Sequence, residues 1–139
     1  MYESALDKIL EEASILHSHV GPFLALGVKA GLRAIEVLGY EPFKMRAKLI
    51  LTEKRVPYTC FADGVQFITG CTLGKGNIEI VEGSGFKAVF VLKPKVLELK
   101  VRSEVLDELE NCKSGLEAEA RKIMKASLYE FFEEKLLLE

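Results

Sequence analysis

Hydrophobic positions in the N-terminal third of the chain recur at helical spacing. Over residues 3–16 the apolar side chains fall three and four positions apart, with acidic side chains mostly on the other side, which predicts an amphipathic helix. Pro22 suits a first helical turn and Gly39 suits a C-terminal cap, so a second helix is predicted over residues 23–38. Small residues line one face of this helix and favour its close approach to a neighbouring element.

The middle of the chain changes period several times. Residues 46–52 predict a short strand, and residues 60–69 predict a short helix that ends at Gly70. Alternation around Ile78 and Ile80, a Gly83-Ser84-Gly85 turn and apolar residues over 86–92 predict a hairpin. Residues 97–101 predict a third strand with one wet face. The sheet is therefore expected to be antiparallel.

The C-terminal part predicts helices. Ser103 and the acidic residues after it open a helical region that breaks near Ser114-Gly115 and resumes over residues 117–135 as a helical hairpin or dimer arm. No repeat or linker divides the chain. We therefore predict one α+β domain over residues 1–139, with N-terminal helices packed on an antiparallel sheet. Its core spans about residues 5–102, and residues 103–139 form a helical C-terminal extension.

Composition excludes several classes of function. The formal net charge of −2 and the pI near 5.8 provide no basic surplus for phosphate backbones, so nucleic acid is not expected as a partner. No apolar run is long enough to span a bilayer, and the N-terminus lacks the order of a signal peptide, so we expect a cytoplasmic protein with no membrane association. Three cysteines do not make a disulfide framework; they suit ligands, reactive thiols or core packing.

Groups with chemical potential are concentrated between residues 60 and 77. Asp63 and Gln66 share one face of the predicted short helix. Glycine-rich backbone around Thr72 and Lys75 can direct several N–H groups at one point, and the lysine adds a positive charge. These four residues are the predicted ligand-binding set, for a small anion or a substrate carboxylate. The segment lacks the spacing of a P-loop, which excludes a nucleotide triphosphate.

A second set of residues suits a metal. His17 and His19 lie two positions apart at the end of the first helix, and imidazole and thiolate are the favoured ligands of zinc. Cys60 or Cys71 could complete such a site after folding. We therefore predict these four residues as candidate ligands of zinc or another divalent metal. The chain contains no Cys-x-x-Cys pair, so a closed four-cysteine site is excluded.

The order of these motifs resembles the core domain of the FmdE-like family of formylmethanofuran dehydrogenase. Three blocks carry the resemblance, over roughly residues 5–100: His-x-His followed by Pro and Leu-Ala-Leu-Gly, then Cys-x-x-Asp-x-x-Gln, then Gly-Cys-Thr-x-Gly-Lys-Gly-Asn. The matching residues are His17, His19, Pro22, Leu24, Ala25, Leu26, Gly27, Cys60, Asp63, Gln66, Gly70, Cys71, Thr72, Gly74, Lys75, Gly76 and Asn77.

Two departures from the family pattern change what the resemblance implies. The family usually reads His-Gly-His-x-Cys-Pro-Gly, whereas this chain has Gly21 where that cysteine stands, so one candidate thiol is missing. No cysteine follows Cys112, so the cysteine-rich zinc finger of many members is absent. The resemblance implies an α+β core that forms homodimers. It also implies association with other subunits of a molybdopterin or tungsten oxidoreductase that handles formylmethanofuran in methanogens.

Structural roles compete with each functional one. The cysteines suit core packing, His19 suits a helix C-terminus, Asp63 suits a first helical turn, and the glycines suit tight turns. Two hypotheses about function remain open. The first is a non-catalytic accessory or binding domain that holds a metal or a small anionic ligand. The second is a small enzyme in which a thiolate from Cys60 or Cys71 acts as nucleophile or metal ligand.

Overall fold

The computed structural model describes residues 4–139, in which helices pack against one face of a five-stranded sheet. The predicted α+β class is confirmed. The helices are α1 (Ala5–His17), α2 (Pro22–Leu38), α3 (Cys60–Thr69), α4 (Ser103–Glu110), α5 (Leu116–Lys125) and a short 3-10 helix (Leu128–Glu130). The strands are β1 (Arg46–Leu51), β2 (Ile78–Glu82), β3 (Lys87–Leu92), β4 (Lys95–Val101) and β5 (Phe132–Leu138).

Local signals set the ends of the first two helices. The backbone N–H of Asp7 donates to Ser4 Oγ at 3.1 Å, which caps α1. The predicted start at Glu3 lies outside the described residues. After His17 the chain turns through Ser18, whose φ of 81° is in the left-handed region. Pro22 occupies the first turn of α2, and the Gly39 N–H caps its end, as the sequence predicts.

The small-residue face of α2 packs against α3. A Cβ placed on Gly27 would lie 2.1 Å from the carbonyl oxygen of Phe61, and one placed on Gly64 would lie 2.5 Å from that of Leu24. The two helices therefore approach at a distance that only glycine permits. This contact holds α3, with its Cys-x-x-Asp-x-x-Gln motif, rigidly on the body of the protein.

The strand order is β2-β1-β3-β4-β5, and the sheet is mixed. Three neighbouring pairs are antiparallel, as expected, but β1 and β2 are parallel, with Ala47 opposite Ile78. The predicted hairpin between β2 and β3 is wrong, because β1 lies between these strands. Helix α3 provides the crossover that a parallel β1–β2 pair requires. This topology leaves β2 at one edge of the sheet, beside α3.

The C-terminal segment contains a strand where the sequence predicts helix. Helix α5 ends at Lys125, and the predicted helix over residues 117–135 is wrong beyond that point. β5 follows and pairs with β4, with Phe132 opposite Val101. Phe132 is fully buried, so burial of this ring in the sheet outweighs the helical spacing of the nearby acidic residues. The predicted extension thus contributes the fifth strand of the sheet.

One contiguous hydrophobic core lies between the sheet and the helices. Aromatic rings meet in it behind α3, where Phe61 and Phe86 pack edge to face with their centroids 5.1 Å apart. None of the helices in residues 4–139 is both long and apolar enough to cross a membrane.

Candidate functional site

A cavity of about 560 Å³ opens between the end of α1, one face of α3 and the edge strand β2. We call it the His17 cavity. The spacing of Cys60, Asp63 and Gln66 places all three on the α3 face that lines it, as the sequence predicts for the last two. Its further lining includes His17, Lys54, Val56, Thr59, Leu73, Ile78, Glu79 and Ile80.

The principal polar contact at this cavity joins α1 to α3. His17 Nδ1 lies 2.6 Å from Asp63 Oδ2, and the His17 side chain is only 9% exposed. An ionised carboxylate only accepts hydrogen bonds, so Nδ1 carries the proton and donates it to Asp63. The other ring nitrogen, Nε2, is buried and has no protein partner. The pair therefore fixes the ring orientation and leaves one buried nitrogen available to a ligand group.

His19 belongs to a different cavity, of about 320 Å³, which we call the His19 cavity. Its imidazole packs edge to face against that of His17, with centroids 4.5 Å apart. Cys112 and Gly21 also line the His19 cavity, and Cys60 borders both cavities. A Cβ added at Gly21 would lie 3.2 Å from His19 Cε1. The absence of a side chain at Gly21 thus leaves room for the imidazole of His19.

The two cysteines of the motif occupy different environments. Burial, and secondarily the charge of Asp63, raise the pKa of the Cys60 thiol above its ordinary range. Cys71 is fully buried, and its Sγ donates to the carbonyl oxygen of Met45 at 3.4 Å. Burial raises the pKa of this thiol as well. Both groups are therefore neutral thiols at neutral pH.

The four predicted metal ligands do not form one cluster. His17 lines one cavity and His19 the other, Cys60 lies between them, and Cys71 is packed in the core. Within residues 4–139, no three histidine, cysteine or acidic side chains are arranged to hold a metal ion. Because a zinc site in a protein normally uses at least three protein ligands, the residues present do not fit a resident zinc ion.

The glycine-rich loop before β2 uses its own N–H groups. Leu73 N–H donates to Gln66 Oε1 at 3.0 Å, and Thr72 N–H donates to Asn77 Oδ1 at 2.9 Å. Lys75 N–H donates to Thr72 Oγ1 at 3.3 Å. These donors, which sequence reasoning assigns to an anion nest, are therefore engaged within the protein. Gln66 keeps its amide N–H groups as donors, because its oxygen is the atom that accepts from Leu73.

Of the four predicted ligand-binding residues, Asp63 and Gln66 line the His17 cavity, whereas Thr72 and Lys75 do not. The ammonium of Lys75 lies 5.2 Å from the ring centroid of Phe43, in a cation–π contact. Asn77 is buried, and its side-chain amide donates to two backbone carbonyls of the 42–45 segment. The loop is held as a closed structural unit, and only Leu73 of its apex extends to the cavity.

Comparison with known proteins agrees with the resemblance found in the sequence. The family described as "FmdE, Molybdenum formylmethanofuran dehydrogenase operon" matches residues 16–135. The chain belongs to this FmdE family. The match includes His17, all of α3, the loop and β2, so every element of the His17 cavity lies within the family region.

Two relatives illustrate the breadth of the family. The crystal structure of an FmdE-like protein of tungsten formylmethanofuran dehydrogenase, from Syntrophus aciditrophicus, superposes with a TM-score of 0.67 at 19% identity, over 98% of this chain and 73% of that one. This likeness establishes the fold. A "Probable S-adenosyl-L-methionine-binding protein" of Archaeoglobus fulgidus is 39% identical over 80 residues, which are 55% of this chain and 21% of that protein. The chain thus matches about a fifth of that relative's length.

Sequence reasoning missed how β2 contributes to the FmdE site. Ile78 and Ile80 line the cavity because β2 pairs with β1 and lies beside α3, whereas the predicted hairpin pairs β2 with β3. Lys54 and Val56, from the connection between β1 and α3, were also not singled out. Their positions depend on that crossover, which no local spacing reveals.

Proposed function

We propose that this FmdE-family chain is an accessory binding domain that holds its ligand in the His17 cavity. The observation that supports this is the His17 imidazole, tied to Asp63 through Nδ1 and buried without a partner at Nε2. A buried polar atom without a hydrogen bond costs about 1–3 kcal/mol, and a ligand group that donates to it recovers this free energy. The Gln66 amide N–H groups supply donors on the same wall of the cavity.

The ligand class follows from these groups. A neutral imidazole with its proton on Nδ1 accepts a hydrogen bond at Nε2, so the ligand presents an N–H or O–H group there. The Gln66 amide and the Lys54 ammonium favour a carbonyl or carboxylate oxygen elsewhere on the ligand. The largely apolar remainder of the wall suits a short aliphatic part. The anionic ligand expected from the sequence is thus moved from the glycine-rich loop to this cavity.

The metal-binding alternative has weaker support. An Asp63–His17 pair resembles the carboxylate partners that orient metal-bound histidines, and Cys60 lies on the same cavity. A divalent ion here would need further ligands that the described residues do not supply. Zinc content measured in protein purified without added metal tests this alternative. Stoichiometric zinc that falls in a Cys60→Ala variant would favour it over the proposal above.

The enzyme alternative is opposed by the environment of its nucleophile. Cys60, His17 and Asp63 border one cavity, but a catalytic thiol is normally activated by a lowered pKa. Here burial and Asp63 act in the opposite direction and raise the pKa of Cys60. We therefore favour binding over nucleophilic catalysis.

A matched pair of histidine variants tests the proposed site. A thermal-shift screen of small amides, hydroxy acids and carboxylates would identify a ligand, with S-adenosylmethionine included because of the relative's name. His17→Leu should weaken the ligand found about tenfold, the equivalent of one buried hydrogen bond. His19→Leu, in the neighbouring cavity, should leave the affinity within about twofold. Equal affinity in wild type and His17→Leu would contradict the proposal.

The partners of the domain are part of the same proposal. We propose a cytoplasmic homodimer that associates with other subunits of a molybdopterin or tungsten oxidoreductase, in keeping with the family description. Leu136, Leu137 and Leu138 of the edge strand β5 are exposed, and such an apolar edge favours self-association. Light scattering after size-exclusion chromatography tests the dimer. A monomer at micromolar concentration whose mass does not change in Leu137→Lys would contradict it.

A further inference from the structure

The edge strand β2 has unpaired backbone groups beside the His17 cavity. In a parallel pair, alternate residues of a strand direct their peptide groups at the neighbouring strand. Ala47 N–H donates to Asn77 O, and Gly83 N–H donates to Leu51 O, so it is Glu79 and Val81 that bond to β1. The N–H and carbonyl groups of Ile78 and Ile80 therefore point away from the sheet. Within residues 4–139 these groups have no hydrogen-bond partner.

This edge lacks the features that normally block pairing with another chain. Natural edge strands are protected by lysine, proline, a bulge or a covering element. β2 has the sequence Ile-Glu-Ile-Val-Glu, with neither lysine nor proline, and its register with β1 runs without interruption over five pairs. β-branched residues fill three of the five positions, which favours the extended conformation. The edge is thus preformed for the addition of a strand.

The groove beside the edge suits the side chains of an extended peptide. It runs between α3 and β2, and Ile78 and Ile80 form its strand wall. Val56 and Leu73 also line the groove and are 71% and 84% exposed, respectively. An added strand directs every second side chain into such a groove. The 560 Å³ cavity has room for more than one of them.

Polar groups on the helix wall distinguish a peptide from a second copy of this chain. A second β2 would bring only Ile78 and Ile80 into the groove, and these side chains offer nothing to His17 Nε2 or to the Gln66 amide. Pairing of β2 with the other free edge, β5, is head to tail and does not close into a dimer. A peptide with one hydroxyl or amide side chain between apolar ones meets both requirements.

We propose that the ligand of the His17 cavity is an extended peptide segment of another protein, which adds as a sixth strand to the outer edge of β2. Its backbone pairs with Ile78 and Ile80, its apolar side chains enter the groove, and a hydroxyl or amide side chain donates to His17 Nε2. This proposal rests on the proposed binding function of the same cavity and names the class of its ligand. Main-chain pairing supplies affinity, and the groove supplies selectivity.

The first experiment selects ligands from a random nine-residue peptide library displayed on phage, with the wild-type chain as bait. We expect enriched sequences with apolar residues at alternate positions and a serine, threonine or asparagine between them. Affinities of the synthesised peptide are then measured for two variants. Ile80→Pro removes the outward N–H without breaking a bond to β1, and it should weaken binding about tenfold. Ile80→Ala keeps that N–H and controls for the lost side chain.

A second measurement uses only the wild-type protein, so the test survives if Ile80→Pro fails to fold. N-methylation of every second residue of the selected peptide should weaken binding about tenfold or more, because those N–H groups pair with β2. Methylation of the interleaved residues should be tolerated. The proposal is overturned if no sequence is enriched, if every methylated position is tolerated, or if Ile80→Pro and Ile80→Ala bind alike. A self-association abolished by Ile80→Pro would assign the edge to a second copy instead.

The outcomes separate this proposal from the proposed function. If small compounds bind in a manner that depends on His17 but no peptide is selected, the binding function stands and the peptide assignment fails. If neither small compounds nor peptides bind, both fail. A peptide whose affinity is unchanged in His17→Leu but lost in Ile80→Pro would retain strand addition and remove the role of the imidazole.

Discussion

Replacing Asn77 should unfold the glycine-rich loop and destabilise the whole domain. The side chain is 5% exposed and makes three hydrogen bonds. Its Nδ2 donates to the carbonyl oxygens of Pro42 at 2.7 Å and Met45 at 3.0 Å, while its Oδ1 accepts from Thr72 N–H at 2.9 Å. Each such bond contributes about 1 kcal/mol net, so Asn77→Ala should cost about 3 kcal/mol. For a chain of this size that lowers Tm by about 10 °C.

An aspartate at the same position isolates the role of the amide donors. Asn77→Asp keeps the shape and the acceptor for Thr72 N–H, but it places a carboxylate oxygen against the two carbonyl oxygens. At neutral pH we expect a loss larger than that of Asn77→Ala. Protonation restores a donor, so part of the difference should be recovered below about pH 4. Urea unfolding followed by circular dichroism at pH 7 and pH 4 measures both effects.

The result that refutes this reasoning is a small one. If Asn77→Ala loses less than about 1 kcal/mol, the amide does not hold the loop to the 42–45 segment. If Asn77→Asp is no less stable than Asn77→Ala at pH 7, the two carbonyls do not oppose a charge there. Either outcome would return the loop N–H groups to the role of an anion site, which the sequence alone favours.

Single contacts elsewhere in the fold give three further predictions. Gly64→Ala puts a methyl group against the α2 backbone and should cost about 2–3 kcal/mol in urea unfolding, despite better helix propensity. Ser18→Gly relieves the left-handed φ of 81° and should stabilise the domain by about 1 kcal/mol; a loss would show that the serine is not strained. Cys60 should react slowly with iodoacetamide at pH 7 in a Cys112→Ser background, with a rate midpoint above that of free cysteine, because its pKa is raised. Since the folded thiol resists ionisation, stability falls as pH rises past the ordinary thiol pKa, most at the raised value.

Local spacing predicted those elements whose partners are close in sequence. Helix α3 is predicted over residues 60–69 and observed there, because its apolar period, Pro57 before it and Gly70 after it are all local signals. The strand β1 is likewise within one residue of its predicted end. These elements depend on few distant contacts, so periodicity and caps are sufficient.

Elements whose form depends on tertiary pairing were predicted poorly. Alternation identifies β2 as a strand but carries no information about its neighbour, so it favours the economical hairpin over the parallel crossover. The segment before Lys135 has acids at helical spacing, yet β5 forms because Phe132 is buried against the sheet edge left by β4. A pattern of seven residues cannot express that competition.

The candidate site shows the same division. His17 and Asp63 were both singled out, but their contact spans 46 positions and could not be read from either segment. Cys71 and Lys75 were assigned to a ligand because thiols and ammonium groups suit one. In the fold, one thiol bonds to a core carbonyl and the ammonium lies over the ring of Phe43. Residue type indicated possible chemistry, whereas burial and neighbours decided the actual contacts.

The motif on α3 links parts of the site that would otherwise be independent. Asp63 holds the end of α1 through His17, and Gln66, one turn later, holds the apex of the loop through Leu73 N–H. That loop leads directly into β2. A ligand that draws on the imidazole or the Gln66 amide therefore acts on the two contacts that position both walls of the groove. Because the glycine contact with α2 keeps α3 itself in place, the expected response to a ligand is ordering of the α1 end and the loop, with α3 unmoved.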